Sequence, residues 1–236
     1  IKFDKKQKIL IYCWRGGLRS LSLYLVLKQI GYDVTLLDGG YKNYRRFVVK
    51  FFETSCEKFK FNQIMGVTGV GKTLFIKELS KNYQVIDFEG LANHKGSILG
   101  NIPNKNQPSQ KYFETLIYDK LNSFNSKKNI WVEAESIKVG KLSIPSKIWK
   151  NMPLGKNVKV ISSLEERVRF ILKDYKYFTN TPILMKEALM VLKKIIPKEE
   201  FLKIEENLKK EKYFQFVKSL IEYHYDRAYK LSLIHI

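Results

Sequence analysis

The N-terminal part of the chain alternates between short apolar runs and amphipathic stretches. The apolar run at 9–12 predicts a buried strand, and 19–30 predicts a helix because leucine, valine and isoleucine recur there at near-helical spacing. Gly31 marks the predicted end of this helix. A second short strand at 34–37 precedes a helix that runs from 41 to about 52. This alternation predicts a parallel sheet with covering helices.

A second alternation follows a polar segment, 53–60, which we interpret as a linker. It consists of a strand at 61–65, a glycine-rich loop, a helix at 72–81 and a strand at 83–88. The stretch 90–109 is rich in loop-forming residues, and its length is typical of a functional lid or binding loop. The remaining predicted elements are a helix near 109–124, strands at 129–133 and 157–161, helices from 164 onward and a charged helical tail over 183–230.

The pattern therefore predicts an α/β protein with two domains. Residues 1–55 form the first, and we expect its first strand to lack neighbours because the chain starts so close to it. Residues 61–230 form the second, which ends in a helical C-terminal region. The last residues, 231–236, break the amphipathic pattern before them, so we interpret them as a non-native tail.

Composition adds a strong basic bias. Among 236 residues, 43 Lys and Arg face 23 Asp and Glu, which gives a net charge of +20. This excess favours a polyanionic partner, but only seven of these residues are Arg, so a general drift towards lysine explains it equally well. The absence of a signal peptide, of a long apolar stretch and of a disulfide framework predicts a cytoplasmic protein without a membrane partner.

Cys13 opens a loop with the sequence Cys-Trp-Arg-Gly-Gly-Leu-Arg-Ser, directly after the first predicted strand. In such a loop the N–H groups point inward and the helix N-terminus adds partial positive charge, which favours an anion and lowers the pKa of the thiol. Gly16 and Gly17 allow the tight turn, and Arg15 and Arg19 suit a forked contact with an oxyanion. Cys13 is therefore a predicted nucleophile.

The spacing in this loop leaves other interpretations open. Five residues separate Cys13 from Arg19, one more than in common sulfurtransferase loops and the same as in tyrosine phosphatases. A cysteine phosphatase is disfavoured because no general-acid Asp is evident near the loop. A purely structural role for Cys13 is the other alternative. Cys56 lacks comparable surroundings, and we expect it to be inert.

Residues 66–73 match the complete Walker A pattern, Gly-x4-Gly-Lys-Thr, between a predicted strand and a predicted helix. Backbone N–H groups of this loop would surround phosphates, Lys72 would neutralise the terminal one and the Thr73 hydroxyl would suit Mg²⁺. The second domain is thus predicted to be P-loop NTPase-like. The predicted phosphate-binding residues are Gly66, Thr68, Gly69, Gly71, Lys72 and Thr73.

Three further residues are candidates for contacts near this loop. Glu133 and Glu135 end an apolar run, where such folds place an acid for a metal or water; two solvated carboxylates are the alternative. His94 lies in the long loop, where substrate contact and simple exposure are equally supported. Ser109 is a predicted N-cap.

Together these motifs resemble the tRNA 2-selenouridine synthase family, in which a rhodanese-like domain is fused to a P-loop domain. The resemblance covers roughly residues 7–165 and implies that 1–55 is the C-terminal part of a rhodanese-like domain. It rests on the segments 12–20, 39–45, 66–73, 87–97, 107–110 and 133–136.

The resemblance implies a transferase that replaces sulfur by selenium in the wobble 2-thiouridine of tRNA. Selenophosphate is the implied selenium donor, and geranyl diphosphate is implied to form an S-geranyl-2-thiouridine intermediate. Cys13 is implied to carry selenium as an S-selanyl adduct, and the loop 66–73 to bind the diphosphate of the prenyl donor rather than a nucleotide. We expect no tightly bound cofactor and no protein metal site, with Mg²⁺ at the P-loop as an option. The residues implied to hold selenophosphate or the transferred atom are Arg15, Gly16, Gly17 and Arg19.

A tRNA substrate gives the basic excess a role, because cationic and aromatic side chains together suit RNA. Each of these side chains taken alone is more simply a solvated surface residue. The candidate contacts are Tyr41, Lys42, Tyr44, Arg45, Arg46, Phe47 and Lys50 in the first domain and Lys193, Lys194, Lys198, Lys209 and Lys210 in the tail.

Two interpretations of the whole chain remain beside the selenotransferase. One is a cysteine-dependent phosphatase or sulfurtransferase fused to a P-loop nucleotide-binding domain. The other is a non-catalytic RNA-binding ATPase module in which Cys13 is incidental.

Overall fold

The computed structural model describes residues 4–97, 99–134, 136–175 and 189–233. Contacts within the chain divide it into two compact units, Ile1–Cys56 and Glu57–Ile236. Each unit contains parallel strands and helices, which confirms the predicted α/β class.

The first unit is built from two strands and two helices. Its elements are β1 (Ile9–Ile11), α1 (Leu18–Gln29), β2 (Val34–Leu36) and α2 (Gly40–Thr54). β1 and β2 pair in parallel, as predicted. Parallel pairing brings the ends of both strands to one edge, so the loops that follow β1 and β2 are neighbours.

The segment 53–60, interpreted as a linker, contains the boundary between the two units and is partly helical. α2 continues to Thr54, and Cys56–Lys58 forms a 3-10 turn. The buried side chains of Phe52 and Cys56 account for this, and the Cys56 thiol donates a hydrogen bond to the Phe52 carbonyl at 2.8 Å. The polar and charged residues around Phe52 and Cys56 made the end of this helix difficult to predict from the sequence.

The second unit contains a four-stranded sheet with the order β4-β5-β3-β8. All three strand pairs in this sheet are parallel, so the carboxyl ends of the strands share one edge. A short antiparallel hairpin, β6–β7, lies outside it. The strands are β3 (Phe61–Met65), β4 (Gln84–Ile86), β5 (Ile130–Glu133), β6 (Lys138–Val139), β7 (Leu142–Ser143) and β8 (Asn157–Lys159).

Helices cover this sheet and form the C-terminal region. Ser109 caps α5 by accepting a hydrogen bond from the Tyr112 amide at 3.3 Å, which confirms the predicted N-cap. The helices are α3 (Lys72–Leu79), α4 (Phe88–Ala92), α5 (Gln110–Ser123), α6 (Ser146–Asn151) and α7 (Leu164–Asp174). Described helices of the tail include Lys198–Lys209, Tyr213–Leu220 and Asp226–Leu233.

Some short elements were not predicted. α4 occupies the start of the segment expected to be loop, because Asp87 caps it and accepts a hydrogen bond from the Gly90 amide at 2.7 Å. The hairpin β6–β7 and helix α6 are too short to show a hydrophobic period. The structure describes 189–230 of the predicted tail and 231–233 of the predicted non-native end, and the rest of both lies outside the described residues.

The tail packs onto α7 through an apolar core. Val168 on α7 is fully buried with Leu192, Ile204 and Leu220 from the tail. A π-helical turn, Ile221–Tyr225, connects the last two tail helices. None of the helices within the described ranges is long and apolar enough to span a membrane.

Candidate functional sites

Cys13 lies just beyond the end of β1, and its sulfur is surrounded by hydrogen-bond donors. The Gly17 amide donates to Sγ at 3.3 Å, and the Ser20 hydroxyl donates at 3.2 Å. The Ser20 bond, with the amides of Gly17, Arg15 and Gly16, lowers the pKa of Cys13 to about 6, and partial burial opposes this effect. The thiol is therefore mostly ionised at neutral pH, as a nucleophile requires.

The turn that follows β2 holds the cysteine loop in this shape. Gly16 and Gly40 both have positive φ, and a Cβ on Gly16 would lie 2.6 Å from the Gly40 nitrogen. The Tyr41 amide donates to the Cys13 carbonyl at 3.0 Å, and the Lys42 amide donates to the Trp14 carbonyl at 2.9 Å. Glycine is required where the two backbones meet, because any side chain would separate them.

The surface beside the thiol is basic and aromatic. Arg15 and Arg19 are both exposed, so their guanidinium groups are accessible to an anion. Trp14 is 51% exposed, and its ring centroid lies 5.2 Å from that of Tyr41. Tyr44 extends the row at 6.2 Å from Tyr41. Such a row offers faces on which an unpaired base can stack.

Ser20 is a site residue that the sequence analysis did not single out. It is only 2% exposed, although it lies in the first turn of α1. The sequence feature that could have identified Ser20 is its position: a small hydroxyl residue directly after Arg19, in the first turn of the helix whose N-terminus faces the thiol. Its hydrogen bond is the largest cause of the lowered pKa of Cys13.

Ser20→Ala should raise the pKa of Cys13 from about 6 towards the ordinary thiol value of about 8.5. In this variant the thiolate loses its strongest hydrogen-bond donor. Alkylation of Cys13 at pH 6 to 7 should therefore slow severalfold, which is the effect expected from the loss of one charge-assisted hydrogen bond. The pH dependence of iodoacetamide labelling, read by mass spectrometry on the Cys13 peptide, measures this. Ser22→Ala is the matched control because its hydroxyl lies on the same helix and donates to the Arg19 carbonyl, at 3.4 Å, rather than to the thiol. If the pH midpoint of Cys13 labelling were the same in Ser20→Ala and Ser22→Ala, the proposed effect of Ser20 on the pKa of Cys13 would be contradicted.

The predicted phosphate loop connects β3 to α3. Gly69 and Gly71 have φ values of 87° and 82°, and Gly71 forms the N-cap of α3. The Lys72 ammonium donates to the Gly66 carbonyl at 2.9 Å, so this side chain folds back over the loop. Thr73 follows in the first helical turn. All six predicted phosphate-binding residues thus lie together at a strand–helix junction, the arrangement that favours phosphate.

Glu133 is located next to this loop. It ends β5, pairs in register with Ile64 of β3 and is only 1% exposed. The alternative of a solvated carboxylate is therefore wrong for Glu133. Glu135 lies outside the described residues. Within the parts of the chain that the structure describes, no three potential metal-binding side chains cluster.

His94 is buried rather than exposed. The residue is only 5% exposed. A Cβ added to Gly100 would lie 2.9 Å from the His94 Cε1 atom, and a Cβ added to Gly140 would lie 2.8 Å from the His94 Cδ2 atom. Burial lowers the pKa of His94, and a hydrogen bond with Asn101 opposes this, so the imidazole is neutral at physiological pH. Simple exposure of His94 is therefore wrong, and its contact with substrate stays a prediction.

Two glutamines have a structural role that their motif did not reveal. The Gln107 side chain donates to the Val139 carbonyl at 3.0 Å and accepts from the Lys141 amide at 2.9 Å. Gln110 exchanges two hydrogen bonds of 2.8 Å with the Ser143 backbone. These contacts attach the β6–β7 hairpin to the first residue of α5 and to the segment before that helix.

The candidate RNA contacts differ in their surroundings. On α2, Tyr41, Tyr44 and Arg45 are partly buried, whereas the others are exposed. In the tail, Lys209 and Lys210 form ion pairs of 3.0 and 2.6 Å with glutamates one helical turn earlier. Their contact with RNA stays a prediction. The exposed candidates are Lys42, Arg46, Phe47 and Lys50 on α2 and Lys193, Lys194 and Lys198 in the tail.

The chain is similar to known proteins over both units. Residues 59–188, more than half of the chain, match the model of the tRNA 2-selenouridine synthase AAA domain. Residues 1–46 match the model of the rhodanese-like domain.

Curated proteins similar to this chain carry the name tRNA 2-selenouridine synthase. Those of Shewanella piezotolerans, Nitrosomonas europaea and Alcanivorax borkumensis are 33%, 35% and 36% identical to this chain over 73%, 75% and 70% of its length. These matches cover 47%, 46% and 45% of the respective relatives, so the chain spans just under half the length of the curated proteins it matches. The chain belongs to the tRNA 2-selenouridine synthase family.

Proposed function

We propose that this protein replaces sulfur by selenium in the wobble 2-thiouridine of tRNA. The observation that carries this proposal is the Cys13 thiol, whose pKa of about 6 leaves it ionised beside the Gly17 amide and the Ser20 hydroxyl that donate to its sulfur. The names of its relatives support the same activity. A P-loop in the same chain supports a second, diphosphate-bearing substrate.

In the selenium step, selenophosphate is the donor and Cys13 the acceptor. Arg15 and Arg19 bind the phosphate oxygens, and the amides of Gly16 and Gly17 complete the anion site. The Cys13 thiolate first exchanges with a small-molecule disulfide, which is the two-electron oxidant of this step and leaves Cys13 as a mixed disulfide. The selenium of selenophosphate then forms an S–Se bond with the Cys13 sulfur as the small thiol departs with the electron pair of the S–S bond. Water breaks the Se–P bond and takes the phosphoryl group as phosphate. Cys13 then holds selenium as an S-selanyl adduct, ready for transfer to carbon 2 of the base.

In the prenyl step, the P-loop binds the diphosphate of geranyl diphosphate. Transfer of the geranyl group to the thiouridine sulfur leaves negative charge on the departing diphosphate, which Lys72 and the loop amides stabilise. Alkylated sulfur is a better leaving group than the thiocarbonyl, so this step prepares carbon 2 for selenium.

Apolar side chains beside the P-loop favour a prenyl diphosphate over a nucleotide. Leu74 and Phe75, in the first turn of α3, are 57% and 48% exposed. A Cβ on Gly71 would lie 3.6 Å from the Phe170 ring and 3.9 Å from Leu74. Exposed apolar carbons next to a phosphate cradle match a ligand with one charged end and one hydrocarbon end.

Magnesium fits the oxygen groups at this loop. The ion usually binds through one or two protein oxygens together with substrate phosphates. Thr73, in the first turn of α3, and Glu133, at the end of the neighbouring β5, are the pair we propose. Their role would be to hold a cation that neutralises the diphosphate.

The proposed RNA partner is consistent with the charge of the protein. A net charge of +20 favours association with a polyanion. The row of Trp14, Tyr41 and Tyr44 beside the thiol offers stacking surfaces for an unpaired anticodon base. Because tRNA modification takes place where the tRNA is, we place the protein in the cytoplasm.

Analysis of RNA nucleosides tests the proposal. The protein is incubated with 2-thiouridine tRNA, selenophosphate and a small-molecule disulfide, with and without geranyl diphosphate, and the digested RNA is examined by mass spectrometry. We expect 2-selenouridine with both donors and S-geranyl-2-thiouridine with geranyl diphosphate alone. Unchanged 2-thiouridine, together with hydrolysis of an aryl phosphate that depends on Cys13, would instead favour the phosphatase.

A competition experiment tests the ligand of the P-loop. Geranyl diphosphate and a non-hydrolysable ATP analogue compete for the protein in a binding assay. We expect geranyl diphosphate to displace the analogue, because only the prenyl ligand also covers the apolar side chains. Tight binding of the analogue, with indifference to geranyl diphosphate, would contradict this assignment.

A further inference from the structure

The back of the phosphate loop is held by a buried arginine. Arg167 on α7 is 6% exposed, and its Nε donates a hydrogen bond of 2.8 Å to the Thr68 carbonyl. Its two terminal nitrogens donate to the two carboxylate oxygens of Asp226, at 3.0 and 2.5 Å. One guanidinium group thus connects the loop to the last tail helix.

The bond to Thr68 determines which way the next amide points. In a trans peptide the C=O of one residue and the N–H of the following residue point in opposite directions. Because Arg167 holds the Thr68 carbonyl towards α7, the Gly69 N–H is directed away from α7. An N–H in that direction is available to a phosphate in the cradle.

Gly69 allows α7 to approach this closely. Its φ is 87°, and a Cβ there would lie 2.9 Å from Ile171 Cδ1 and 3.1 Å from the Arg167 carbonyl. The helix therefore packs directly against the loop backbone. This packing fixes the distance over which the Arg167 side chain reaches Thr68.

Asp226 and the tail complete this support. Burial raises the pKa of Tyr229, and a hydrogen bond with the Gly66 backbone opposes this effect, which places the Tyr229 hydroxyl at the start of the loop. The apolar core that joins α7 to the tail includes Val168, Leu220 and Ile221. The tail is thus anchored independently of the Arg167–Asp226 ion pair.

We propose that Arg167, held in place by Asp226, is a positioning residue that orients the Gly69 amide of the P-loop towards a bound diphosphate. This inference rests on the proposed diphosphate function of the loop. A buried guanidinium needs a partner for its charge, so Asp226 determines where the group lies. Without Asp226, the guanidinium turns towards solvent and the peptide between Thr68 and Gly69 loses its fixed orientation.

Asp226→Asn is the test, with inorganic pyrophosphate as the probe. The amide has nearly the shape of the carboxylate but removes the charge and one acceptor, and we expect binding in a calorimeter to weaken about tenfold. The Gly69 amide resonance in a ¹⁵N NMR spectrum should also shift before pyrophosphate is added. A merely structural role would leave that resonance at its wild-type position.

Glu200→Gln is the matched control. Glu200 forms a bidentate contact with Arg227, at 3.1 and 2.9 Å, in the same tail but without a link to the loop. This variant should bind pyrophosphate within about twofold of wild type, and urea unfolding shows whether the two variants are equally stable. Equal pyrophosphate affinity in both variants would overturn the positioning role alone. A wild-type protein that does not bind pyrophosphate would overturn the proposed diphosphate function and this inference together.

Discussion

Cys13→Ser is expected to abolish the formation of 2-selenouridine, with a loss of about a thousandfold or more. The donors that lower the pKa of the thiol to about 6 cannot ionise a serine hydroxyl, whose intrinsic acidity is far weaker. Mass spectrometry of nucleosides from 2-thiouridine tRNA, after incubation with both donors, measures the loss. S-geranyl-2-thiouridine should accumulate in this variant, because the prenyl step uses the P-loop.

Cys56→Ser is the control for this experiment. Cys56 is fully buried, and its thiol donates to the Phe52 carbonyl, a bond that a serine hydroxyl can also form. We expect this variant to form 2-selenouridine at close to the wild-type rate. Retention of selenium transfer in Cys13→Ser would contradict the nucleophile assignment and favour the non-catalytic interpretation of the loop.

Lys72→Ala is expected to abolish S-geranylation, with a loss of about a hundredfold or more. The ammonium group, which contacts the Gly66 carbonyl at 2.9 Å, would in the proposed reaction stabilise the charge that develops on the leaving diphosphate. The rate of S-geranyl-2-thiouridine formation measures the effect. Selenium loading of Cys13 should persist, because that step takes place in a different loop.

Lys77→Ala is the matched control for Lys72→Ala. Lys77 lies on the same helix, α3, but in its last turn, and its side chain is exposed. We expect geranylation to remain close to the wild-type rate in this variant. Equal losses at Lys72 and Lys77 would indicate a general effect of charge on RNA binding and would contradict a specific role for Lys72.

The two candidate loops could be predicted from sequence because each is a local motif. Cys13 and its glycines follow one another along the chain, as do Gly66 to Thr73, and strand–loop–helix patterning indicates where the backbone N–H groups point. Glu133 was predicted at the correct end of its strand. Its burial depends on the neighbouring β3, which the local sequence does not describe.

The contacts that tune these loops were not predicted because they join distant residues. Arg167 and Asp226 are 59 positions apart, and Arg167 and Thr68 are 99 apart. No spacing rule relates such positions before the fold is known. The burial of His94 also depends on a residue distant in sequence, because the backbone of Gly140, in the β6–β7 hairpin, packs against the imidazole ring.

Mass spectrometry of the Cys13 peptide after incubation with selenophosphate tests the central claim most directly. With a small-molecule disulfide present as the two-electron oxidant, we predict an S-selanyl adduct on Cys13, absent from Cys56, that disappears when 2-thiouridine tRNA and geranyl diphosphate are added. Formation of 2-selenouridine while Cys13 stays unmodified and can be replaced without loss would contradict the account.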